Sequence, residues 1–223
     1  MRAHPSRRAL ILAPLLLGLA PCLSAGPARA ATLSTGFTPT PQDAADLARV
    51  AAYLNAITTL KARFLQVAPD GNVSQGTAWI ERPGRMRFAY DPPAPYLLVA
   101  GHGLVVFHDS KLGQTSNIPI GQTPLGILLA RKIVLSGPVT VTGVKRLPGE
   151  ITVSLLRTAN PGAGRLVLTF ATAPLVLRQW SVFDAQDQET RVTLFNIETG
   201  GSFDPKLFDY VDPKFFQSRP SGG

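Results

Sequence analysis

Cysteine is almost missing. The 223-residue chain has one, Cys22, and it falls inside an N-terminal stretch built like a secretory leader. That stretch has a basic start (Arg2, Arg7, Arg8), an apolar run from Ala9 to Ala20, and a small-residue cleavage site, Ala28-Arg29-Ala30. Removing residues 1–30 as a signal peptide leaves 223 − 30 = 193 residues and no cysteine, which excludes disulfides, thiol catalysis and thiolate metal sites. Leu19-Ala20-Pro21-Cys22 has proline where a lipoprotein cleavage box needs a small residue, so lipidation is not expected. Ser6-Arg7-Arg8-Ala9-Leu10 loosely resembles a twin-arginine signal, but no cofactor motif follows it, which favours ordinary unfolded export.

Histidine is scarce too. His102 and His108 alone remain after the leader, and neither has a second ligand at metal-binding spacing, so no metal and no cofactor are expected. His108-Asp109-Ser110 has the residue types of a hydrolytic triad, yet adjacent positions cannot supply its geometry, and no Gly-x-Ser-x-Gly elbow occurs. Asp184, Asp187 and Glu189 fit a polar hairpin loop between Trp180 and Val192 better than a pair of working carboxylates. An enzyme is therefore not expected. Long apolar runs stop with the leader, so nothing after it is expected to span a bilayer as a helix. Charge is low, 16% of residues, and the formal +8 shrinks once Arg2, Arg7, Arg8 and Arg29 depart, leaving 18 basic residues against 14 acidic ones, or +4. These basic residues form no run or basic helix, which argues against nucleic acid.

What is present points to β structure. Forty of the 223 residues are Gly or Pro, about 18%, too many for a helical bundle. With 45% hydrophobic residues the chain can bury one sizeable core in one domain. Residues 31–40 are small and polar and read as an N-terminal tether. Thr40-Pro41 then offers a helix N-cap and a first-turn proline, with Asp43 and Asp46 suited to the positive end of the dipole. Leu47, Val50, Ala51, Leu54 and Ile57 give that helix one apolar face. From Phe64 onward the period is two, with turn residues every eight to twelve positions. Eleven candidate strands result, from Ala62–Val67 and Val73–Glu81 to Leu175–Phe183 and Thr190–Glu198. Their short connections predict an antiparallel meander, and a sheet that wide should curl or close. The exception is the crowded apolar segment from Thr123 to Arg131, read as a short helix or apolar loop.

Alternation is cleanest at Arg85 to Tyr90, where Met86, Phe88 and Tyr90 share one face and Arg85 and Arg87 the other. A wide curved sheet with an apolar concave face, covered by one helix and one short segment, predicts a hydrophobic-ligand carrier. Met86 would suit an irregular ligand in such a lining.

A set of distributed motifs resembles the LolA family of periplasmic lipoprotein carriers from about Leu47 to Pro213. These are Lys61-Ala62-Arg63-Phe64-Leu65-Gln66 after the helix, Gly76 to Phe88 with Trp79, Arg82-Pro83-Gly84 and Arg85-Met86-Arg87-Phe88, and Tyr90 before Pro92. Further on come the Gly101–Gly103 turn, Thr123-Pro124 to Ala130-Arg131, Phe183 to Thr190, and Leu207-Phe208-Asp209-Tyr210. The resemblance implies an α+β, mostly β fold: an incomplete antiparallel barrel of about eleven strands with a helical lid over a hydrophobic cavity. It implies acyl chains lying against Met86, Phe88, Tyr90, Ile80 and Leu54, and a lid formed by Leu125, Ile127, Leu128, Leu129 and Ala130. Arg82 matches the family's latch, which donates hydrogen bonds to lid carbonyls, here near Leu129 and Ala130. Gly126 and one extra lid residue imply a looser lid.

The function implied is a periplasmic chaperone that binds lipoprotein acyl chains released from the inner membrane and passes them to the outer membrane. Its partners would be acylated lipoproteins and an inner-membrane ABC-type releasing complex, with an outer-membrane receptor as a further candidate, and it would act as a monomer. The rival readings are a related barrel for another lipid and a barrel that regulates a signalling protein. The expected organisation is a signal peptide 1–30, tether 31–40, carrier domain 41–213 and tail 214–223.

Overall fold

The computed structural model describes residues 36–211. The leader, residues 31–35 of the tether, the domain end at Pro213 and the tail lie outside the described residues. Within them the elements are α1 (Pro41–Ala56), β1 (Thr59–Val67), β2 (Val73–Glu81), β3 (Arg85–Tyr90), β4 (Tyr96–Gly101), β5 (Leu104–Asp109), β6 (Gln114–Pro119), β7 (Val139–Leu147), β8 (Glu150–Arg157), β9 (Arg165–Thr172), β10 (Leu175–Phe183) and β11 (Glu189–Thr199).

Helix α1 begins where Thr40 predicts. The Thr40 hydroxyl accepts from the Asp43 N–H at 3.1 Å while the Asp43 carboxylate accepts from the Thr40 N–H at 2.8 Å, a reciprocal capping box ahead of Pro41. Val50 and Leu54 are buried from its apolar face, with Leu47, Tyr53 and Ile57 beside them. The helix stops at Ala56, before Thr58, and β1 starts at Thr59, three residues earlier than its alternation suggested, because Leu60 already points inward.

All eleven strands lie in one antiparallel sheet, ordered β6-β5-β4-β3-β2-β1-β11-β10-β9-β8-β7. The meander therefore holds only in two halves, β1–β6 and β7–β11, which join through the pairing of β1 with β11. β6 and β7, neighbours in sequence, are the two free edges, and residues 120–138 run from one to the other. That long connection is what lets the sheet curl without closing. The lid segment in it is two 3-10 turns, Ile120–Gln122 and Pro124–Ile127, and no α-helix, since Pro124 and Gly126 leave too few consecutive helix formers.

The core lies on the inner face. Phe64, Met86, Phe88, Leu168, Phe170 and Trp180 are all buried there. Phe64 packs on Phe88 at 4.6 Å between ring centroids, and Phe88 meets Trp180 edge-on at 5.9 Å. On the other face the chain after β11 runs as a strap: Phe208 is buried against β3 and β4, and the Arg87 guanidinium donates to the Leu207 carbonyl at 3.0 Å. Gly101 is required there, because a Cβ would come within 2.7 Å of the Phe208 carbonyl oxygen.

Candidate functional site

The lid is built to sit in an apolar interior. Thr123 caps it, its hydroxyl accepting from the Gly126 N–H at 3.3 Å, and Pro124 follows in the first turn. Ile127, Leu128 and Leu129 are then only 3%, 4% and 2% exposed, in the same cluster as Val153, Leu155 and Leu168 of the sheet. Leu125 and Ala130 are half-buried against that cluster. The concave face is thus largely filled by the protein's own aliphatic side chains.

Arg82, at the β2–β3 turn, joins three pieces of chain. Its Nε donates to the Ile57 carbonyl at 2.9 Å, Nη1 to the Ala130 carbonyl at 3.3 Å, and Nη2 to the carbonyls of Ile57 and Leu54. The Ala130 contact lies where the resemblance put it. The Leu129 carbonyl is instead taken by the Gly84 N–H at 2.8 Å. The bonds to Leu54 and Ile57 escaped the sequence reading: they satisfy carbonyls orphaned at the end of α1, where the helix dipole also favours a cation. Asn55 adds a two-way bond with the Ile133 backbone, at 2.9 Å in each direction. Burial pushes the Arg82 pKa down from its ordinary value, so the guanidinium is held by carbonyls alone at some desolvation cost.

A hollow of about 220 Å³ remains beside the lid. Met86, Phe88 and Tyr90 line it together with Trp180, Val192 and Leu125. Ile80 and Leu54 do not: both are buried, in the packed core nearer α1. Alternation identifies which face a residue occupies but not how far along the face the space lies. Trp180 and Val192 were missed: Thr190 to Leu194 carries the same alternation as Met86 to Tyr90, but in β10 a bulge between Leu177 and Gln179 breaks the period just before Trp180. Tyr90 closes one side; its hydroxyl donates to Gln66 Oε1 at 2.9 Å, and burial pushes its pKa up to about 12. The hollow is smaller than the roughly 300–1,000 Å³ of ordinary ligand pockets.

Gly126 does not loosen the lid. It is buried, and a Cβ there would collide with Arg157 Nη2 and the Ile120 carbonyl, so glycine permits the tight contact. At the far end of α1, Arg146 of β7 bonds Asp43 at 2.8 Å and Asp46 at 2.7 Å. The Asp43 carboxyl is held below its usual range by the Thr40 N–H and hydroxyl and then by Arg146. For Asp46 burial pulls upward, but the bonds from Arg146 and Gln42 outweigh it and the pKa is lowered.

The other polar residues singled out in the sequence lie elsewhere. Asp184 accepts from the N–H groups of Gln186 and Gln188 in the β10–β11 hairpin, and His102 sits on the β4–β5 turn beside Asp209 at 3.3 Å.

Residues 55–211 match the family model described as outer membrane lipoprotein carrier protein LolA. An outer-membrane lipoprotein carrier protein of Methylococcus capsulatus is 30% identical over 174 residues, covering 74% of this chain and 83% of that protein. Another, from Nitrosomonas europaea, is 25% identical over 201 residues, covering 82% of this chain and 92% of that one. Among solved structures, a LolA superfamily protein from Nitrosomonas europaea is similar at a TM-score of 0.42 and 7% identity, over 74% of this chain and 97% of that one. The open eleven-stranded sheet, the apolar lid and the family match over most of the described residues lead to one conclusion: this chain belongs to the LolA family.

Proposed function

We propose that this protein carries lipoproteins between membranes by sheltering their acyl chains in the space the lid now fills. The observation that supports it most is an interior packed with a segment of the β6–β7 connection, Leu125 to Ala130, that is no strand of the sheet and is held at its end through two carbonyls, Leu129 by the Gly84 N–H and Ala130 by Arg82. An acyl chain in water costs about 0.8 kcal/mol per methylene, or roughly 12 kcal/mol for a chain of about fifteen. Aliphatic lid side chains leaving and acyl chains arriving exchange like for like, so loading and release run close to balance. Met86, Phe88 and Tyr90 form the first wall such chains meet; Ile80 and Leu54 become accessible once the lid and the end of α1 separate. Arg82 latches both.

The cargo is the acylated terminus of a lipoprotein, taken from an ABC-type releasing complex in the inner membrane and handed on at the outer membrane, to a receptor or directly. No chemical conversion is involved and the carrier works as a monomer in the periplasm. Residues 1–30 direct export, 31–40 tether, 41–213 carry, and 214–223 form a tail.

The test is recovery of the full chain from the periplasm of its own host, with analysis of what co-purifies. Acylated protein in stoichiometric amount is the expected result. Free lipid without protein would replace this reading by that of a lipid-binding barrel, and an unacylated signalling protein by that of a regulator.

A further inference from the structure

Arg82 holds one end of the lid; the other end has an arginine of its own. Arg157 is the last residue of β8, and its Nε donates to the Thr123 carbonyl at 3.0 Å while Nη2 reaches the Ile120 carbonyl at 3.4 Å. No carboxylate pairs with it among the described residues, and burial pushes its pKa down, as at Arg82. The approach is close enough to require Gly126, because a Cβ there would come within 2.2 Å of Nη2 and 2.3 Å of the Ile120 carbonyl oxygen. The two arginines bind to different halves of the sheet. Arg82 belongs to the β1–β6 half and takes the Ala130 end; Arg157 belongs to the β7–β11 half and takes the Ile120–Thr123 end.

The two ends differ in what lies behind them. The hollow is bordered by Thr123 and Leu125, and by none of Ile127 to Ala130. The existing space therefore adjoins the end that Arg157 secures, while the end that Arg82 secures is embedded in packed core. We propose that Arg157 is a second latch and a positioning residue for cargo entry, and that the lid opens first from its Ile120–Thr123 end. The fork geometry of guanidinium matters, because one rigid group spans two carbonyls three residues apart. Holding them through carbonyls leaves the catch reversible: on opening, the guanidinium regains water and no carboxylate is stranded.

This inference rests on the carrier reading of the interior, so the deciding measurement uses unloaded protein. Amide hydrogen exchange is followed by mass spectrometry in the full chain and in Arg157→Met, Arg157→Lys and Arg82→Leu. In Arg157→Met, exchange within 120–127 should rise about tenfold or more, with β8 and β9 amides unchanged and 128–133 much less affected. Arg82→Leu should reverse that order. Arg157→Lys, which keeps charge and stem but loses the fork, should fall between wild type and Met, and it serves alone if the Met variant does not fold. Unaltered exchange at 120–127, or an equal rise throughout β8 and β9, would overturn the second latch. If wild type fails to take up a synthetic triacylated lipopeptide, the carrier reading fails, whatever the exchange pattern shows.

Discussion

The two ends of α1 are both held by arginine, in opposite ways. At the N-terminal end Arg146 grips two carboxylates, Asp43 and Asp46, whose side chains are each only 7% exposed. At the C-terminal end Arg82 grips carbonyls and nothing else. Removing the arginine from a carboxylate cluster leaves two like charges side by side without their cation; letting go of a carbonyl strands no charge. On the carrier reading proposed above, the first is a fixed attachment and the second a catch. The same division runs through the molecule. Arg63 pairs with Asp91 and Arg191 with Glu189 within the sheet, whereas Arg82, Arg87 and Arg157 hold α1, strap and lid through carbonyls, and burial lowers the pKa of all three.

The comparison can be broken most forcefully at Arg146. Arg146→Met should give the largest loss of thermal stability of the set, several times that of Arg82→Leu, measured by differential scanning calorimetry; equal losses would erase the distinction between attachment and catch. Next comes Leu129→Ala, which removes buried methylenes from the lid. It should cost about 2–4 kcal/mol in denaturant unfolding while increasing uptake of an apolar fluorophore. A loss with no added uptake would make the lid ordinary core. Arg82→Leu should cost less, about 1–2 kcal/mol given that water reaches part of the guanidinium. Its main effect should be functional, with loaded carrier accumulating and release to acceptor membranes slowing; unchanged release would remove the latch role.

The smallest effect is in acid. Asp43 and Asp46 have folded pKa values below the ordinary 3.8, so their stabilisation is complete above that value and is lost as pH falls through the lowered ones. In Arg146→Met one cause of the lowering is gone, and the loss should begin at higher pH, seen as an acid unfolding midpoint shifted upward.

Much of this was readable from the chain. Thr40-Pro41 marked the helix start, and period two located all eleven strands with boundaries off by three residues or fewer, because a half-buried strand writes its face into alternate positions. Alternation also put Met86, Phe88 and Tyr90 on the inner face. What escaped depends on long-range pairing. Nothing near Pro119 or Val139 announces that their strands are edges, since that follows from β1 meeting β11 across the whole chain. Arg146 and Arg157 do not stand out in the sequence, because their partners lie 100 and 34 residues away and no periodicity records such a pairing. The carbonyls that Arg82 finds on α1 exist only because the helix ends at Ala56, and Gly126 read as slack until its neighbour was visible.

The unjoined edges at β6 and β7 carry a last consequence. A closed barrel has a girth set by strand number and stagger, and it widens only by breaking rungs of its ladder. A split ring has no such limit: it can spring apart along its slit with every rung intact. The same eleven strands could then embrace two hydrocarbon tails or three, adjusting circumference instead of composition.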